Sequence, residues 1–419
     1  MAKYLPESGV HVDVLTARNA AAVGKDVRPL AELSADVRIH RTWALDLPFG
    51  LRKAIKKVLT RSGKPGAMKS AAYAPKAGGG GALKRMVGNL LLPDPQVGWL
   101  PFAWRAAKRM VRKNKIDIVV ITVPPFSSLM LVSRLRKAYP KLPIVVDFRD
   151  EWLTTTIDLV SFNNNERARA IATRTEAEAV RDATAVVCVT DAAVRELKKR
   201  YSQEDAAKFV CIPNGFDRPL PVEKKAARRR AENDPAVLTY LGTVYGSTDP
   251  TPVVEAVLRL PEELRNRLRL RFIGHVETQG YRDTLQRLGK SVELIGFLPQ
   301  AQALEYMDAT DYLLLITHDP INVAAKLYDY LGSGRPIVAA VHAAGDVRRI
   351  VEETRTGWVA AVNDPEGLDR LLREAVERTA QMEEAFAPDA EKIAAYHRRP
   401  LAARYARLLE SLMQGERAR

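Results

Sequence analysis

Lys326 and Asp329 stand three residues apart in KLYDYLGSGRPIVA, just past a short loop that follows the apolar run YLLLIT. On a helix that spacing puts both side chains on one face. Lys326 can then meet a diphosphate as a cation, while Asp329 accepts hydrogen bonds from hydroxyls such as those of a ribose. The bland alternative is a solvated ion pair on an exposed helix. YLGTVYG, Tyr240 to Gly246, runs from a strand into a turn, where Gly242 lets the backbone approach a phosphate and Thr243 adds a hydroxyl donor. VVDFRDEW, Val145 to Trp152, sets Asp147, Arg149, Asp150, Glu151 and Trp152 directly after another strand, with a buried ion-pair network as the structural alternative. In VPPFSS the prolines fix a rigid loop, and Ser127 or Ser128 suits the cap of the next helix. His275 and His318 each follow a strand; His318 is the candidate base, against the commoner role of an ordinary loop residue. The sequence holds no HExxH spacing, no GxSxG elbow and no acidic pair after a strand suited to a bridging Mg²⁺, so no metal is expected.

These residues need strands that end where they begin. Apolar β-branched runs occur at Val10–Thr16, Ile116–Thr122, Pro143–Phe148, Ala185–Thr190 and Phe209–Pro213. Six more follow at Val237–Gly242, Leu270–Gly274, Val292–Gly296, Tyr312–Thr317, Pro336–Val341 and Trp358–Val362. Continuous apolar runs separated by helical stretches predict parallel sheets covered on both faces, hence an α/β protein with two doubly wound, Rossmann-like halves. The charged, proline-flanked stretch RPLPVEKKAARRRAENDP divides them. The expected domains are residues 1–217, a linker at 218–235, residues 236–393, and a C-terminal helix at 394–419 that crosses back to the first domain. AGGGG, Ala77 to Gly81, reads as a flexible loop, since no strand precedes it.

At 419 residues, with 47% hydrophobic and 27% charged residues, the chain is long enough for two or three domains and too apolar for wholesale disorder. Cys188 and Cys211 lie in apolar runs and read as buried thiols in a reducing compartment. No run is long and apolar enough to span a membrane, which predicts a cytoplasmic protein, either soluble or peripheral on the inner face of the cell membrane. The net charge of +15 is unevenly spread: Leu51 to Pro93 holds ten basic residues and no acidic one, and RAAKRMVRKNK adds a second cluster between Arg105 and Lys115. In residues 51–61, Leu51, Ile55, Val58 and Leu59 gather on one helix face and Arg52, Lys53, Lys56 and Lys57 on the other. That division fits an anionic membrane surface as well as it fits an ordinary packed helix. Nucleic acid is not expected, because the segment has no interleaved aromatics.

The segments DPQVGWLPFAWRA, VPPFSS, VVDFRDEW, VVCVTDAA, CIPNGFD, YLGTVYG, VELIGFLPQ and KLYDYLGSGRPIVA, in this order, resemble the family 4 glycosyltransferases of the GT-B fold, especially the bacterial cell-surface polysaccharide type. The resemblance spans about Met1 to Ala403, and the pair IPNGFD and KLYDYLGSGRPIVA carries most of it. It implies two Rossmann-like domains facing a cleft, and a retaining enzyme that moves a hexose-type sugar from a UDP or GDP donor to a glycan or polyprenyl-linked acceptor. It implies no further cofactor. It places Gly242, Thr243, Lys326 and Asp329 on the donor nucleotide, and Asp150 and Arg149 at the acceptor or the transferred sugar, with His318 kept as the candidate catalytic base from its place after a strand. The chain departs from the family in having Asp at 329 where Glu is usual and Ile321 where a second acid is usual. Its first strand also resembles the family's second, so the opening strand of domain 1 is expected to be missing. The rival readings are a catalytically silent binding or scaffold protein on the same fold, and, disfavoured for want of a strand leading into GxGxxG, a dinucleotide-dependent oxidoreductase or epimerase.

Overall fold

The computed structural model describes residues 1–18, 28–45, 92–156, 166–220, 222 and 234–417. The basic segment 51–61, the glycine run Ala77–Gly81 and most of the stretch 218–235 lie outside the described residues. Two compact units divide the chain: the first ends at Pro213 and resumes at Leu401, and the second holds Asn214–Pro400.

In the first unit, β1 (Asp13–Ala17) pairs in parallel with β2 (Arg38–Thr42). A separate four-stranded parallel sheet runs β3 (Val119–Val123), β4 (Ile144–Phe148), β5 (Ala185–Cys188), β6 (Phe209–Cys211) in that order. Helix α1 (Leu100–Lys113) leads into β3, and α2 (Met130–Ala138), α3 (Glu166–Asp182) and α4 (Asp191–Arg200) link the following strands. β1 is tied to the end of α1 through Asp13, whose carboxylate accepts from Asn114 at 3.2 Å and pairs with Arg38 at 2.7 Å and His40 at 2.6 Å. The sequence reading misses β2, because RIHRT is an edge strand with half-exposed side chains and needs no apolar run. It also mislays the serine cap. A 3₁₀ turn, Phe126–Leu129, precedes α2, which has no side-chain cap; both serines are buried, and the Ser127 amide donates to the buried Asp94 carboxylate at 2.6 Å. Cys188 is buried as expected, but Cys211 is only half-buried, since β6 is the sheet edge; the two residues are in register across β5 and β6.

The second unit is one six-stranded parallel sheet built from β7 (Ala236–Leu241), β8 (Leu268–Ile273), β9 (Val292–Gly296), β10 (Tyr312–Thr317), β11 (Ile337–Val341) and β12 (Gly357–Ala361), ordered β12-β11-β10-β7-β8-β9. Alternate residues of β10 feed two cores: Tyr312, Leu314 and Ile316 pack with Val253, Val257 and Leu372 on one face, and Leu313 and Leu315 with Leu327, Tyr328 and Ile350 on the other. Each such buried aliphatic side chain contributes about 1.5–3 kcal/mol. That double burial is why the run reads as uninterrupted apolar sequence. The helices used below are α5 (Lys326–Leu331), which follows β10, α6 (Asp346–Glu353) and α7 (Pro365–Glu377).

The last helix, α8 (Arg398–Arg417), returns to the first unit, where Leu401, Tyr405 and Leu409 pack with Val145 of β4, Val187 of β5 and Ile212.

Candidate functional site

The chain passes from β7 to β8 and β9 on one side of the second sheet, then crosses to β10, β11 and β12 on the other. The topological switch therefore lies between β7 and β10, the place where ligands settle beyond the carboxyl ends of parallel strands. β7 and β10 share only the pairs Tyr312 with Leu238 and Leu313 with Thr239, so the strands part above them. Tyr330 of α5 fills the wedge: its hydroxyl accepts the Leu241 amide at 2.9 Å and reaches the Leu314 carbonyl at 3.3 Å.

Lys326, at the start of α5, is half-buried in this wedge. Its ammonium lies 3.7 Å from the ring centroid of Tyr240 and donates to the Tyr240 hydroxyl. That hydroxyl donates in turn to the Thr243 carbonyl at 2.9 Å, and burial raises its pKa, so it stays protonated. No carboxylate pairs with Lys326 among the described residues, and burial pushes the ammonium down to about 7. The surface ion pair with Asp329 is not formed. Asp329 is exposed; desolvation by the protein around it raises its pKa, opposed by the charges of Arg398 and Arg218. Gly242 has φ +118°, and a Cβ there would lie 3.2 Å from the Lys326 Nζ, so the absent side chain is what leaves room for the ammonium.

The turn that follows is pinned on both sides. The Gly242 amide donates to Ile273 O and the Val244 amide to His275 O, both at 2.8 Å, while the Thr248 hydroxyl reaches Thr243 O at 3.1 Å. His318 joins this turn: its amide donates to Ser247 O at 2.8 Å, and its Nε2 lies 3.0 Å from Asp249 O. A carbonyl only accepts, so Nε2 carries the proton and Nδ1 is the nitrogen left to act as a base. The loop from β10 to α5 is ordered by Asp319, whose Oδ1 takes the amides of Ile321 and Asn322 at 2.8 and 2.9 Å. α5 has only six residues, so its dipole is a weak source of attraction for an anion, and Lys326 is the cation at this end of the sheet.

The remaining candidates sit in the first unit. Arg149 is committed to Asp147, with Nε at 3.0 Å and Nη2 at 2.7 Å from Oδ2, and Thr122 adds a bond at 3.2 Å. Burial raises the Asp147 carboxyl against the pull of Arg149. Glu151 is buried under Arg200 at 2.8 Å, and Trp152 stacks on Phe126 with centroids 4.5 Å apart. Of the acids in VVDFRDEW only Asp150 has an exposed side chain. The predicted seven residues thus divide, with Gly242, Thr243, Lys326, Asp329 and His318 around one switch point and Arg149 and Asp150 in the other unit. Tyr240 and Tyr330 were not foreseen as site residues; their one sequence signal is a tyrosine inside each of the segments VLTYLG and KLYDYLG that border the site. Among the described residues no group of three or more His, Cys, Asp or Glu side chains converges as a metal site.

Residues 1–215 match the family model described as a glycosyl transferase 4-like domain, and residues 235–378 match that of the glycosyl transferases group 1. The chain belongs to the family 4 glycosyltransferases. The solved structures similar to this glycosyltransferase carry the same GT-B fold of two Rossmann-like units. A sucrose-phosphate synthase from Thermosynechococcus elongatus aligns with TM-score 0.67 at 15% identity, over 99% of this chain and 92% of that one. HepE of Anabaena, solved in complex with UDP-glucose, aligns with TM-score 0.58 at 16% identity, over 96% and 100%. At these identities the likeness is one of fold. A probable glycosyltransferase of Pseudomonas aeruginosa, WbjE, is 32% identical over 85 residues, and the match spans 20% of the glycosyltransferase described here and only 21% of that relative. No helix among the described residues is long and apolar enough to cross a membrane.

Proposed function

We propose that this glycosyltransferase moves a sugar from a nucleoside diphosphate donor to a glycan or polyprenyl-linked saccharide in building a cell-surface polysaccharide, at the inner face of the membrane and with retention of configuration. The observation that carries the donor half is the Lys326 ammonium, held at the switch point over Tyr240 and under Gly242 without a carboxylate partner among the described residues. In this reading the bond from the anomeric carbon to the diphosphate oxygen breaks, the acceptor hydroxyl forms the new bond and gives up its proton, and Lys326 stabilises the departing diphosphate. The Gly242 and Thr243 turn contacts the phosphates and Asp329 orients the ribose. UDP is the favoured nucleotide, since HepE, a protein of the same fold, is solved with UDP and with UDP-glucose. Asp150, Arg149 and the His318 Nδ1 are assigned to the acceptor or the transferred sugar. With Lys326 countering part of the diphosphate charge, turnover is expected without a divalent cation and unchanged by chelation with EDTA.

Calorimetry with UDP, GDP and their sugars tests the donor site. Binding of one nucleotide class is expected, weakened at least about tenfold by Lys326→Ala and less by Asp329→Ala. Absence of binding by the wild type to every nucleotide would sink the reading. A second reading, donor binding without transfer, is favoured by Ile321 and by the engagement of Arg149 with Asp147. Release of nucleotide from the bound donor in the presence of membrane extract separates the two, because a silent protein releases none.

A further inference from the structure

Helix α1 treats its cations differently from several other helices of the chain. Arg105, Lys108, Arg109, Arg112 and Lys113 recur at i, i+3, i+4, i+7 and i+8, a spacing that gathers all five on one face. All five are exposed, and none forms an ion pair among the described residues. Elsewhere arginines meet a glutamate one turn away: Arg174 with Glu178 on α3, Arg348 with Glu352 on α6, Arg373 with Glu377 on α7. In α1 the same spacing sets Arg105 beside Arg109, Lys108 beside Arg112 and Arg109 beside Lys113, each pair repelling. The carbonyls of the last turn offset this for Arg112 and Lys113 alone. A face that opposes the stability of its own helix is explained by an external anion that compensates it.

The chemistry of that anion follows from what else the face carries. Trp104 is half-buried beside the stripe, and the Lys108 ammonium lies 5.0 Å from its ring centroid, while Leu100 and Ala103 anchor the opposite side in the core. A solvent-facing helix with cations on successive turns and a tryptophan at its margin suits the headgroup region of a bilayer. We propose that this face of α1 docks the protein on an anionic lipid surface. The inference rests on the proposed placement at the inner face of the membrane, uses neither the donor site nor the transfer reaction, and concerns residues outside segment 51–61.

The test is co-sedimentation of the full chain with vesicles of phosphatidylcholine alone and of phosphatidylcholine mixed with phosphatidylglycerol. Binding to the mixed vesicles only, released by salt, is expected. The double variant Arg109→Glu with Arg112→Glu is expected to bind them at least about tenfold more weakly. Each introduced carboxylate faces cations one turn away, so the helix is retained, which circular dichroism and unchanged nucleotide binding verify. The proposal is overturned by a wild type that ignores anionic vesicles, by a double variant that binds them as the wild type does, or by a wild type that prefers a DNA duplex to the vesicles.

Discussion

Lys326 holds its charge against burial, and two measurable consequences follow. In the unfolded chain the ammonium titrates near 10.5, in the folded one at about 7. Between those values the unfolded state binds the extra proton, so this residue makes stability rise with pH from about 7 to 10.5, and below 7 the cost of the buried charge is full. Lys326→Met should therefore raise the melting temperature at pH 6, by about 1–2 kcal/mol of stability, while nucleotide binding is lost. A phosphate dianion favours the ammonium, so nucleotide binding above pH 7 takes up a proton and affinity should fall as pH rises from 7 to 9. A flat calorimetric profile across that range would contradict the placement of a phosphate on Lys326. Gly242 and Gly274 both hold a positive φ, so a side chain is strained at either, and they differ in what it would meet. A Cβ at Gly242 meets only the flexible end of Lys326, whereas at Gly274, with φ +136°, it would lie 2.2 Å from the Gly242 carbonyl oxygen. Gly242→Ala is expected to weaken nucleotide binding and to cost about 1–3 kcal/mol of stability through backbone strain, and Gly274→Ala, which adds a clash with backbone, to cost more, both read from chemical denaturation.

At the scale of elements, the segment after β4 is held to α3 and α4 by a buried cluster. Arg200 of α4 donates to Glu151 at 2.8 Å and to Glu176 of α3 at 2.6 Å, Tyr201 adds a bond to Glu176 at 2.8 Å, and the Thr154 amide caps Glu151 at 2.8 Å. The second carboxylate oxygen of Glu176 is buried without a partner among the described residues, and burial raises its pKa to about 7, with Arg200 opposing. The folded state therefore holds a proton that the unfolded state has lost, and this group's contribution falls as pH rises from about 4.5 to about 7. Glu176→Gln should flatten that fall in thermal melts between pH 5 and pH 8. Arg200→Ala should cost about 3–5 kcal/mol at pH 8, because two buried carboxylates then lose their cation. An unchanged denaturation midpoint would mean the cluster does not hold the segment.

On the scale of the whole molecule, the end of the chain belongs to its first half. Leu401, Tyr405 and Leu409 of α8 cover Val145, Val187 and Ile212, although the residues just before them, Tyr396 and His397, engage Phe216 in the second unit. Leu409→Ala is expected to destabilise by about 2–5 kcal/mol. The loss should appear as exposure of the first unit in hydrogen exchange, with β10 and β11 still protected. Equal loss of protection in both units would show that they unfold as one.

The sequence alone determined the α/β class, because buried parallel strands must be apolar on both faces, and every apolar run it marked became a strand. It also marked Gly242, Thr243, Lys326 and Asp329 as candidates, since glycine and charge punctuate the ends of such strands, and the fold sets them near one switch point. Tertiary structure decided the rest. Arg149 looked as available as Lys326 in one dimension, but β3 and β4 place Asp147 and Thr122 around it. Lys326 and Asp329 share a helix turn and still part, one toward Tyr240 and one toward the charges of Arg218 and Arg398, because their partners come from strands and loops far along the chain. Spacing along one helix fixes which face a side chain takes; which charge or ring waits there depends on the packing of distant segments.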